Sequence, residues 1–430
     1  MSKIAFVGAG SVVFTKNLLG DILAFPELQN CTISLHDIDP VRLDVAHQMA
    51  HWTASALGVS PTIEAVTDRK QSLYGADYVI NMIQVGGHSA TLIDFDIPAK
   101  YGLKQTIGDT HGVGGIFRAL RTIPILLDIA RDMEAVCPNA LLLNYTNPMA
   151  MLCWAVYKGS SVPVVGLCHS VQGTTRQISH YAGVPYDEVT YLGAGINHLA
   201  WILRFEHNGQ DAYPLLKRAL EEGRIPESDL VRAELFRRLG YYVTESSEHN
   251  AEYSAHFIPH SGQICAFNIP IGEYIRRSER NLVEFEQTRT QLSQNKPLSL
   301  EPSAEYASLI IHSMETGLPR VIYGNVRNDH LITNLPDGCC VEVPCLVDRN
   351  GIQPTYIGEL PPQLASMCRL HVSVQELVVR AVLEGKRDHI YHAVMLDPLA
   401  AATMPLARLW AMTDELLIAH RNALPEALRQ

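Results

Sequence analysis

The segment Lys3-Ile4-Ala5-Phe6-Val7-Gly8-Ala9-Gly10-Ser11 (residues 3–11) joins a short apolar run to a glycine-bearing turn, and helical spacing follows over about residues 12–23. Glycines at a turn between a strand and a helix let the backbone approach a pyrophosphate closely. The helix after the turn presents free N–H groups and the positive end of its dipole, which favour a bound anion. The segment therefore predicts an α/β fold whose first turn binds a phosphate-bearing ligand.

Apolar runs and helical spacing continue to alternate up to about residue 200. This alternation predicts right-handed crossovers and a parallel sheet. Beyond residue 200 the alternation decays, and we expect helices over residues 227–241, 281–294, 374–384 and 397–420. The predicted strands are residues 3–7, 32–35, 62–66, 76–84, 140–143 and 162–167, with helices over 41–57 and 115–136.

These patterns predict two domains. Residues 1–197 are expected to form an N-terminal Rossmann-like, doubly wound parallel sheet that binds NAD. Residues 198–430 are expected to form a C-terminal α+β domain for the substrate, the metal and oligomerisation. A chain of 430 residues is long enough for such a division.

An acidic residue at the end of the second predicted strand supports a dinucleotide site. Asp37 lies 27 residues after Gly10, roughly where an acid that binds the ribose hydroxyls is expected. A carboxylate there repels a 2′-phosphate and so favours NAD over NADP. The fingerprint is incomplete, since Val13 stands at its third glycine. Residues 36–40 could also be an ordinary turn with a helix cap.

Further cofactor contacts are expected where the loops meet the crevice. Ser11 belongs to the first turn, and Gln84 and Gly86 lie at and just beyond the carboxyl end of the fourth predicted strand, which should line the cofactor. The glycine-rich residues 106–115 are expected to form a wall over the nicotinamide, or else a flexible turn. Asn147 closes the fifth strand, where its amide could hold a sugar hydroxyl or cap the next helix.

Composition excludes several classes of protein. The net charge of −11 argues against nucleic-acid binding, which needs a basic stripe. Nine cysteines at irregular spacings do not form a disulfide framework and indicate a reducing compartment. The chain starts directly with a strand and has no long uncharged apolar run, so neither a signal peptide nor a membrane span is expected. We therefore expect a cytoplasmic enzyme.

A thiol and an imidazole stand thirty positions apart downstream of the expected nucleotide site. Cys168 follows the apolar run of residues 162–167, and His198 lies in the Gly-Ile-Asn-His-Leu run of residues 195–199. Together they could bind a divalent metal beside the nicotinamide. Taken alone, Cys168 is as well explained as a small buried hydrophobe and His198 as a core histidine.

Several motifs spread along the chain resemble glycoside hydrolase family 4. They are Gly8-Ala9-Gly10-Ser11, Asn144-Tyr145-Thr146-Asn147-Pro148-Met149, Cys168-His169-Ser170, Gly195-Ile196-Asn197-His198 and the stretch from Asn334-Leu335-Pro336 to Val341-Glu342-Val343. The form Cys168-His169-Ser170-Val171-Gln172-Gly173, with residues 245–249 and 323–328, is similar to the melibiase-type α-galactosidases. Relatives that act on uronic acids tend to carry an acidic residue in place of Ser170, and phospho-glycosidases carry Asn or Asp in place of His169.

The resemblance implies an unusual hydrolytic mechanism, distinct from the two-carboxylate one. NAD⁺ takes hydride from C3 of the sugar, a base removes the C2 proton, and the C1 leaving group is eliminated. Water then adds, and NADH restores the C3 alcohol. The resemblance also implies Mn²⁺ on Cys168 and His198, with open positions for two sugar oxygens, although thiolate softness alone would suggest zinc.

The resemblance assigns the remaining roles only as expectations. His169 is expected to protonate the leaving group, or else to support the metal ligand beside it. Glu248, His249 and Tyr253 are the candidates for the C2 base. Asn147, Arg327 and Asn328 are the expected sugar contacts.

The expected function is therefore an α-galactosidase acting on substrates such as melibiose, as a homodimer or homotetramer. An α-galacturonidase, or another α-hexosidase of the same family, is the first alternative. A lactate/malate-type NAD dehydrogenase is the second, and net NADH production would identify it; a non-enzymatic NAD sensor is a remote further one. Neither nucleic acid nor membrane is an expected partner.

Overall fold

The computed structural model describes residues 2–294 and 296–429, and its strands form a single mixed sheet. The strands are Lys3–Val7 (β1), Thr32–His36 (β2), Thr62–Ala65 (β3), Tyr78–Asn81 (β4), Leu141–Asn144 (β5), Val164–Leu167 (β6), Val189–Ile196 (β7), Leu199–His207 (β8), Gln210–Asp211 (β9), Tyr242–Val243 (β10), Arg320–Arg327 (β11), Cys340–Asp348 (β12) and Gly351–Pro354 (β13). The helices are Val12–Leu23 (α1), Pro40–Leu57 (α2), Arg69–Leu73 (α3), Gly87–Lys100 (α4), Gly112–Val136 (α5), Met149–Gly159 (α6), Ser170–Ala182 (α7), Tyr213–Glu221 (α8), Leu230–Leu239 (α9), Ser247–Glu252 (α10), Ser261–Ala266 (α11), Glu273–Ser293 (α12), Ala307–Thr316 (α13), Pro362–Glu384 (α14), Asp388–Leu396 (α15), Pro398–Thr403 (α16) and Leu406–Ala419 (α17).

The first six strands form a parallel sheet in the order β3-β2-β1-β4-β5-β6. This is the Rossmann order, in which ligands bind outside the carboxyl ends of the strands, where the strand order reverses. Every residue of β4 and β5 is buried, as expected when helices cover both faces of a parallel sheet. The predicted α/β class and Rossmann-like first half are confirmed.

The rest of the sheet is antiparallel and continues from β6 in the order β11-β12-β7-β8-β10. Because these strands follow no βαβ pattern, the sequence did not predict them individually. The domain boundary expected at residues 197/198 lies in the turn between β7 and β8, and the sheet runs past it. The division into two domains stays a prediction.

Several predicted boundaries were wrong. The strand expected over residues 76–84 is only Tyr78–Asn81, and the chain then turns toward α4. The helix expected over 397–420 is two helices, because Pro405 lies between them and cannot continue the first one. The helices expected to start at 281 and 374 begin at Glu273 and Pro362. The one expected over 227–241 opens as a short 3₁₀ turn and becomes α9.

None of the described helices combines the length and the apolar character that a membrane crossing needs.

Candidate functional site

The turn after β1 is tied to the end of β2. The N–H groups of Gly8 and Ala9 both donate to the carbonyl of His36, at 3.0 Å each. Gly8 has φ +87°, and a Cβ there would lie 3.0 Å from the backbone of Met82. A side chain at Gly10 would lie 2.6 Å from the Oδ2 atom of Asp37. Glycine at both positions therefore keeps the turn tight and its backbone accessible to a ligand.

Asp37 organises this turn as well as facing the crevice. Its Oδ2 accepts the Gly10 N–H at 2.7 Å and its Oδ1 accepts the Asp39 N–H at 2.9 Å. The side chain is nearly buried. Each carboxylate oxygen keeps a second lone pair, so these two bonds leave room for ribose hydroxyls. The sequence predicted that Asp37 contacts the ribose, but it did not predict the hydrogen bonds that Asp37 accepts from the backbone of Gly10 and Asp39.

Three further predicted cofactor contacts lie around the same crevice. Ser11 precedes α1, is exposed, and makes no side-chain cap, so the N–H groups of the first helical turn remain available to an anion. Gln84 and Gly86 are exposed on the loop between β4 and α4. The site residues predicted for the dinucleotide thus converge on the carboxyl end of the parallel sheet.

A possible metal centre lies further along this edge. Ligand atoms of Cys168, His198 and Glu245 all lie within 4.8 Å of one another. Cys168 follows β6, His198 lies in the β7–β8 turn, and Glu245 follows β10. The sequence predicted the first two as ligands and missed Glu245. The only sequence signal for it is its place at the start of the 245–249 motif.

The hydrogen bonds of Thr110 fix which nitrogen of His198 is free. The Thr110 hydroxyl donates its proton to Asp109 Oδ1 at 2.7 Å, so toward His198 Nδ1, 3.2 Å away, it can only accept. Neutral His198 therefore carries its proton on Nδ1 and its lone pair on Nε2. That lone pair faces Glu245 Oε2 across 3.7 Å, so two acceptors oppose each other. A cation between them would satisfy both.

The charges around Cys168 also fit a cation. Burial raises the pKa of the Cys168 thiol well above its ordinary value, and the carboxylates of Glu245 and Glu342 raise it further. Without a cation the thiol is therefore protonated, whereas a divalent ion would stabilise the thiolate. A thiolate, an imidazole and a carboxylate together form a donor set suited to a divalent transition metal.

His249 lies beside this centre. Its Nδ1 is 2.8 Å from Ser246 Oγ and 3.5 Å from Glu245 Oε1, and its ring centre is 5.0 Å from that of His198. Its Nε2 is 3.9 Å from Asp109 Oδ1. His249 therefore lies between the Glu245 carboxylate and Asp109.

Tyr253 is the second candidate base that the structure brings to the site. Its ring lies 4.5 Å from that of His111 and 6.2 Å from that of His249, centre to centre. The hydroxyl is buried and has no hydrogen-bond partner of ordinary geometry among the described residues. Burial, then Asp109, raise the pKa of Tyr253 well above its usual value.

Glu248, the third candidate base, lies apart from this cluster. Its carboxylate is 3.6 Å from Arg277 Nη2, and it lines an open cavity together with Phe267 and Pro270. Its neighbour His249 points inward from the same short helix, α10. Glu248 therefore lies outside the cluster formed by His249 and Tyr253.

His169, expected near the leaving group, and Asn147, expected near the sugar, lie beside the centre. His169 Nδ1 is 3.2 Å from Glu305 Oε1, and this hydrogen bond raises the pKa of His169 despite its partial burial. Its side chain is 57% exposed, so it lies at the mouth of the site. Asn147 Nδ2 donates to Asp109 Oδ2 at 3.2 Å, while its buried Oδ1 has no partner in the described structure.

Arg327 and Asn328 do not reach the site. In β11, Gly324 pairs with Leu167 at the end of β6, and Arg327 lies three residues further toward the opposite edge of the sheet. At about 3.3 Å per residue that is roughly 10 Å away. Arg327 pairs with Asp329 at 3.0 Å, and the buried Asn328 amide binds the backbone of residues 332–336. The predicted sugar contacts are corrected accordingly.

Sequence similarity to known proteins extends over nearly the whole chain. The sequence profile described as Family 4 glycosyl hydrolase matches residues 3–184, and that of the Family 4 glycosyl hydrolase C-terminal domain matches residues 193–400. The chain is 46% identical over 430 residues to an alpha-galactosidase of Bacillus subtilis (strain 168), covering 99% of this chain and 100% of that one. It is 37% identical over 439 residues to an alpha-galactosidase of Rhizobium meliloti (strain 1021), covering 99% and 89%.

Among solved structures, a 6-phospho-alpha-glucosidase from gut microorganisms in complex with NAD and Mn²⁺ has a TM-score of 0.83 to this chain. The two chains are 18% identical, and the match covers 99% of each. At this low sequence identity, the similarity shows only that the two chains share a fold.

Proposed function

The chain belongs to family 4 of the glycosyl hydrolases, and from that premise we propose that it is an NAD- and Mn²⁺-dependent α-galactosidase. The observation that carries the proposal is the pair of opposed acceptors, His198 Nε2 and Glu245 Oε2, beside Cys168 and next to a Rossmann crevice. The alpha-galactosidases named above support the substrate, and the complex of the 6-phospho relative supports the two cofactors.

The cofactors and the chain divide the chemistry between them. When bound, the dinucleotide supplies reversible hydride acceptance at C3 of the sugar, and the metal supplies Lewis acidity toward the oxygens on C2 and C3. Cys168, His198 and Glu245 would hold the metal, and Asn147 would orient a sugar hydroxyl with its free Oδ1. Three protein ligands leave coordination positions open for the sugar, whereas a structural zinc site would close all four.

Tyr253 is the proposed base at C2, since its buried hydroxyl has no hydrogen-bond partner of ordinary geometry among the described residues. Because burial raises the pKa of Tyr253, a bound metal would have to lower that pKa before the phenolate could accept the C2 proton. His249 lies between Tyr253 and Glu245 and would orient the base or replace it. His169, whose pKa is raised by its hydrogen bond to Glu305, would donate a proton to the departing glycosidic oxygen.

The charge of the site favours a neutral sugar over a uronic acid. Two carboxylates with lowered pKa values face it, the buried Asp109 and the partly buried Glu245, and the buried cation nearby, Arg118, already donates to the Tyr274 hydroxyl. A galacturonide would bring a further carboxylate to this surface, and like charges repel at such short range. This observation favours the α-galactosidase over the α-galacturonidase alternative.

Hydrolysis assays on paired substrates test the proposal. Protein stripped of metal and nucleotide should hydrolyse p-nitrophenyl α-galactoside only after NAD⁺ and Mn²⁺ are both restored, and p-nitrophenyl α-galacturonide much more slowly. Faster turnover of the galacturonide would replace the proposal by its alternative. Full galactoside hydrolysis by the stripped protein would overturn it, and steady NADH production on a hydroxy acid would indicate a dehydrogenase.

We also propose that the enzyme works in the cytoplasm as a homodimer or homotetramer. Its nine cysteines are all free thiols, as a reducing compartment favours. Val321 and Leu346 pair across β11 and β12 with exposed side chains, and so offer an apolar patch to another subunit. Sedimentation of the purified protein measures the assembly, and a monomer at micromolar concentration would contradict it.

A further inference from the structure

Helix α5 carries two buried arginines three residues apart, Arg118 and Arg121, which are 8% and 1% exposed. Residues at this spacing lie on the same side of a helix. A buried guanidinium is costly unless its donors are paired. Both side chains find their partners on neighbouring loops and helices.

The Arg121 guanidinium donates hydrogen bonds to one carboxylate and to one backbone carbonyl. Its Nη1 and Nη2 donate to Asp94 Oδ1 and Oδ2 at 3.0 and 2.6 Å, which is the two-pronged geometry that only arginine provides. Its Nε donates to the backbone carbonyl of Val85 at 3.0 Å. The Asp94 ion pair thus fixes the guanidinium, and the guanidinium fixes Val85.

Val85 lies inside the loop that connects β4 to α4 at the dinucleotide crevice. Gly86 and Gly87 follow it with φ +83° and +55°, and α4 starts without a side-chain cap. Such a backbone has many accessible conformations unless something outside the loop restrains it. A Cβ built at Gly86 would lie 3.6 Å from Arg121 Nε, so the guanidinium lies directly against the loop.

Arg118 makes the equivalent contact one strand further along the sheet. Its Nε donates to the backbone carbonyl of Asn147 at 3.1 Å, and its Nη1 donates to the hydroxyl of Tyr274 at 2.6 Å. Asn147 follows β5 and is the proposed sugar contact. One turn of α5 therefore holds the loops that follow two neighbouring strands.

We propose that Arg121 is a positioning residue for the dinucleotide and Arg118 a positioning residue for the sugar. Arg121 holds the Val85 carbonyl so that the β4–α4 loop is ordered before the nucleotide binds, and Arg118 does the same for Asn147. This inference rests on the proposed function, in that the crevice must bind NAD⁺ at all.

Lysine variants of the full-length protein separate the two roles. Arg121→Lys keeps a buried cation opposite Asp94 but cannot make the fork and the Val85 bond together. We expect NAD⁺ affinity, measured by calorimetry, to fall about tenfold or more, while Mn²⁺ affinity changes less than about twofold. Arg118→Lys should raise KM for p-nitrophenyl α-galactoside and leave NAD⁺ affinity within about threefold. Arg131→Lys, at an exposed position of the same helix, is the matched control.

Amide hydrogen exchange gives a readout that does not depend on catalysis. In Arg121→Lys the amides of Gly87 and Ala90, which donate to the carbonyls of Gln84 and Gly86, should exchange faster, while those of Tyr145 and Leu152 beside the β5 loop should not. Equal losses of NAD⁺ and Mn²⁺ affinity in Arg121→Lys, or unchanged NAD⁺ affinity, would overturn the inference. If Arg121→Lys does not fold, Asp94→Asn serves as the second variant, because the amide removes one of the two carboxylate contacts to Arg121. Asp94→Asn should show the same selective loss of NAD⁺ affinity. NAD⁺ binding by Asp94→Asn like that of the wild type would also overturn the inference. Wild-type protein that binds no NAD⁺ would instead refute the proposed function.

Discussion

The variant Glu342→Gln should stabilise the metal-free protein against unfolding at alkaline pH, although removal of a buried polar residue usually destabilises a protein. Glu342 is the third residue of β12, paired with Asn325 on one side and Gly195 on the other. Its side chain is fully buried, and neither carboxylate oxygen has a hydrogen-bond partner of ordinary geometry among the described residues. Burial, then the nearby Glu245, raises the pKa of Glu342 from 4.5 to about 8.

The sign and size of the effect follow from this pKa. Between pH 4.5 and 8 the folded protein keeps a proton on Glu342 that the unfolded chain releases, so stability falls as pH rises through that range. At pH 8 this costs the metal-free wild type about 4 kcal/mol, and at pH 5 less than about 1 kcal/mol. Glutamine has the same shape and never ionises, so the variant escapes this loss.

Urea unfolding of chelated, nucleotide-free protein at pH 5 and pH 8 measures the difference. The variant and the wild type should be similar at pH 5, and the variant should be more stable by several kcal/mol at pH 8. Glu301→Gln, at an exposed loop position, is the control for removing a charge and should change neither value appreciably. A variant that matches the wild type at both pH values, or is less stable at pH 8, would refute the reasoning from burial.

Three further outcomes are expected. Cys168→Ser should weaken Mn²⁺ binding about a hundredfold, because a hydroxyl is a far poorer ligand than a thiolate; manganese titration followed by electron paramagnetic resonance measures it, and normal affinity would make Cys168 a core residue. Gly10→Ala should weaken NAD⁺ binding about tenfold or more, since the new Cβ would lie 2.6 Å from Asp37 Oδ2 and from Arg42 Cβ; unchanged binding by calorimetry would move the nucleotide away from this turn. During steady hydrolysis the absorbance of NADH should not accumulate, because the hydride returns in each turnover, and a continuous rise would count against the proposed cycle.

The parallel half of the fold was predictable because its signals are local. Each of the first six strands is an apolar run followed by a turn and a helix, and the short-range alternation fixes both the class and the strand direction. The antiparallel half depends on pairings between distant segments, such as β12 between β7 and β11. No periodicity within β12 reveals its partners, so sequence reasoning described this half only as α+β.

The residues of the site divide in the same way, into those placed by the local sequence and those placed by distant contacts. Gly10, Asp37 and Cys168 stand next to predicted strand ends, where sequence position alone places a side chain at the crevice. Glu245 and Asp109 come from loops whose place depends on the completed tertiary structure, and neither was predicted as a site residue. The family resemblance indicated Arg327 and Asn328 as sugar contacts, yet the direction of β11 puts them at the other edge of the sheet. Motif membership therefore did not reveal which way a strand points.

The most direct test of the proposed chemistry is hydrolysis of an α-galactoside in D₂O, with mass or proton spectra of the galactose released. Removal of the C2 proton by Tyr253, followed by its return from a base that exchanges with solvent, predicts deuterium at C2. The variant Tyr253→Phe should lose this incorporation together with hydrolysis. Direct displacement at C1 never breaks the C2–H bond. Galactose released at the full rate without deuterium at C2 would contradict the account.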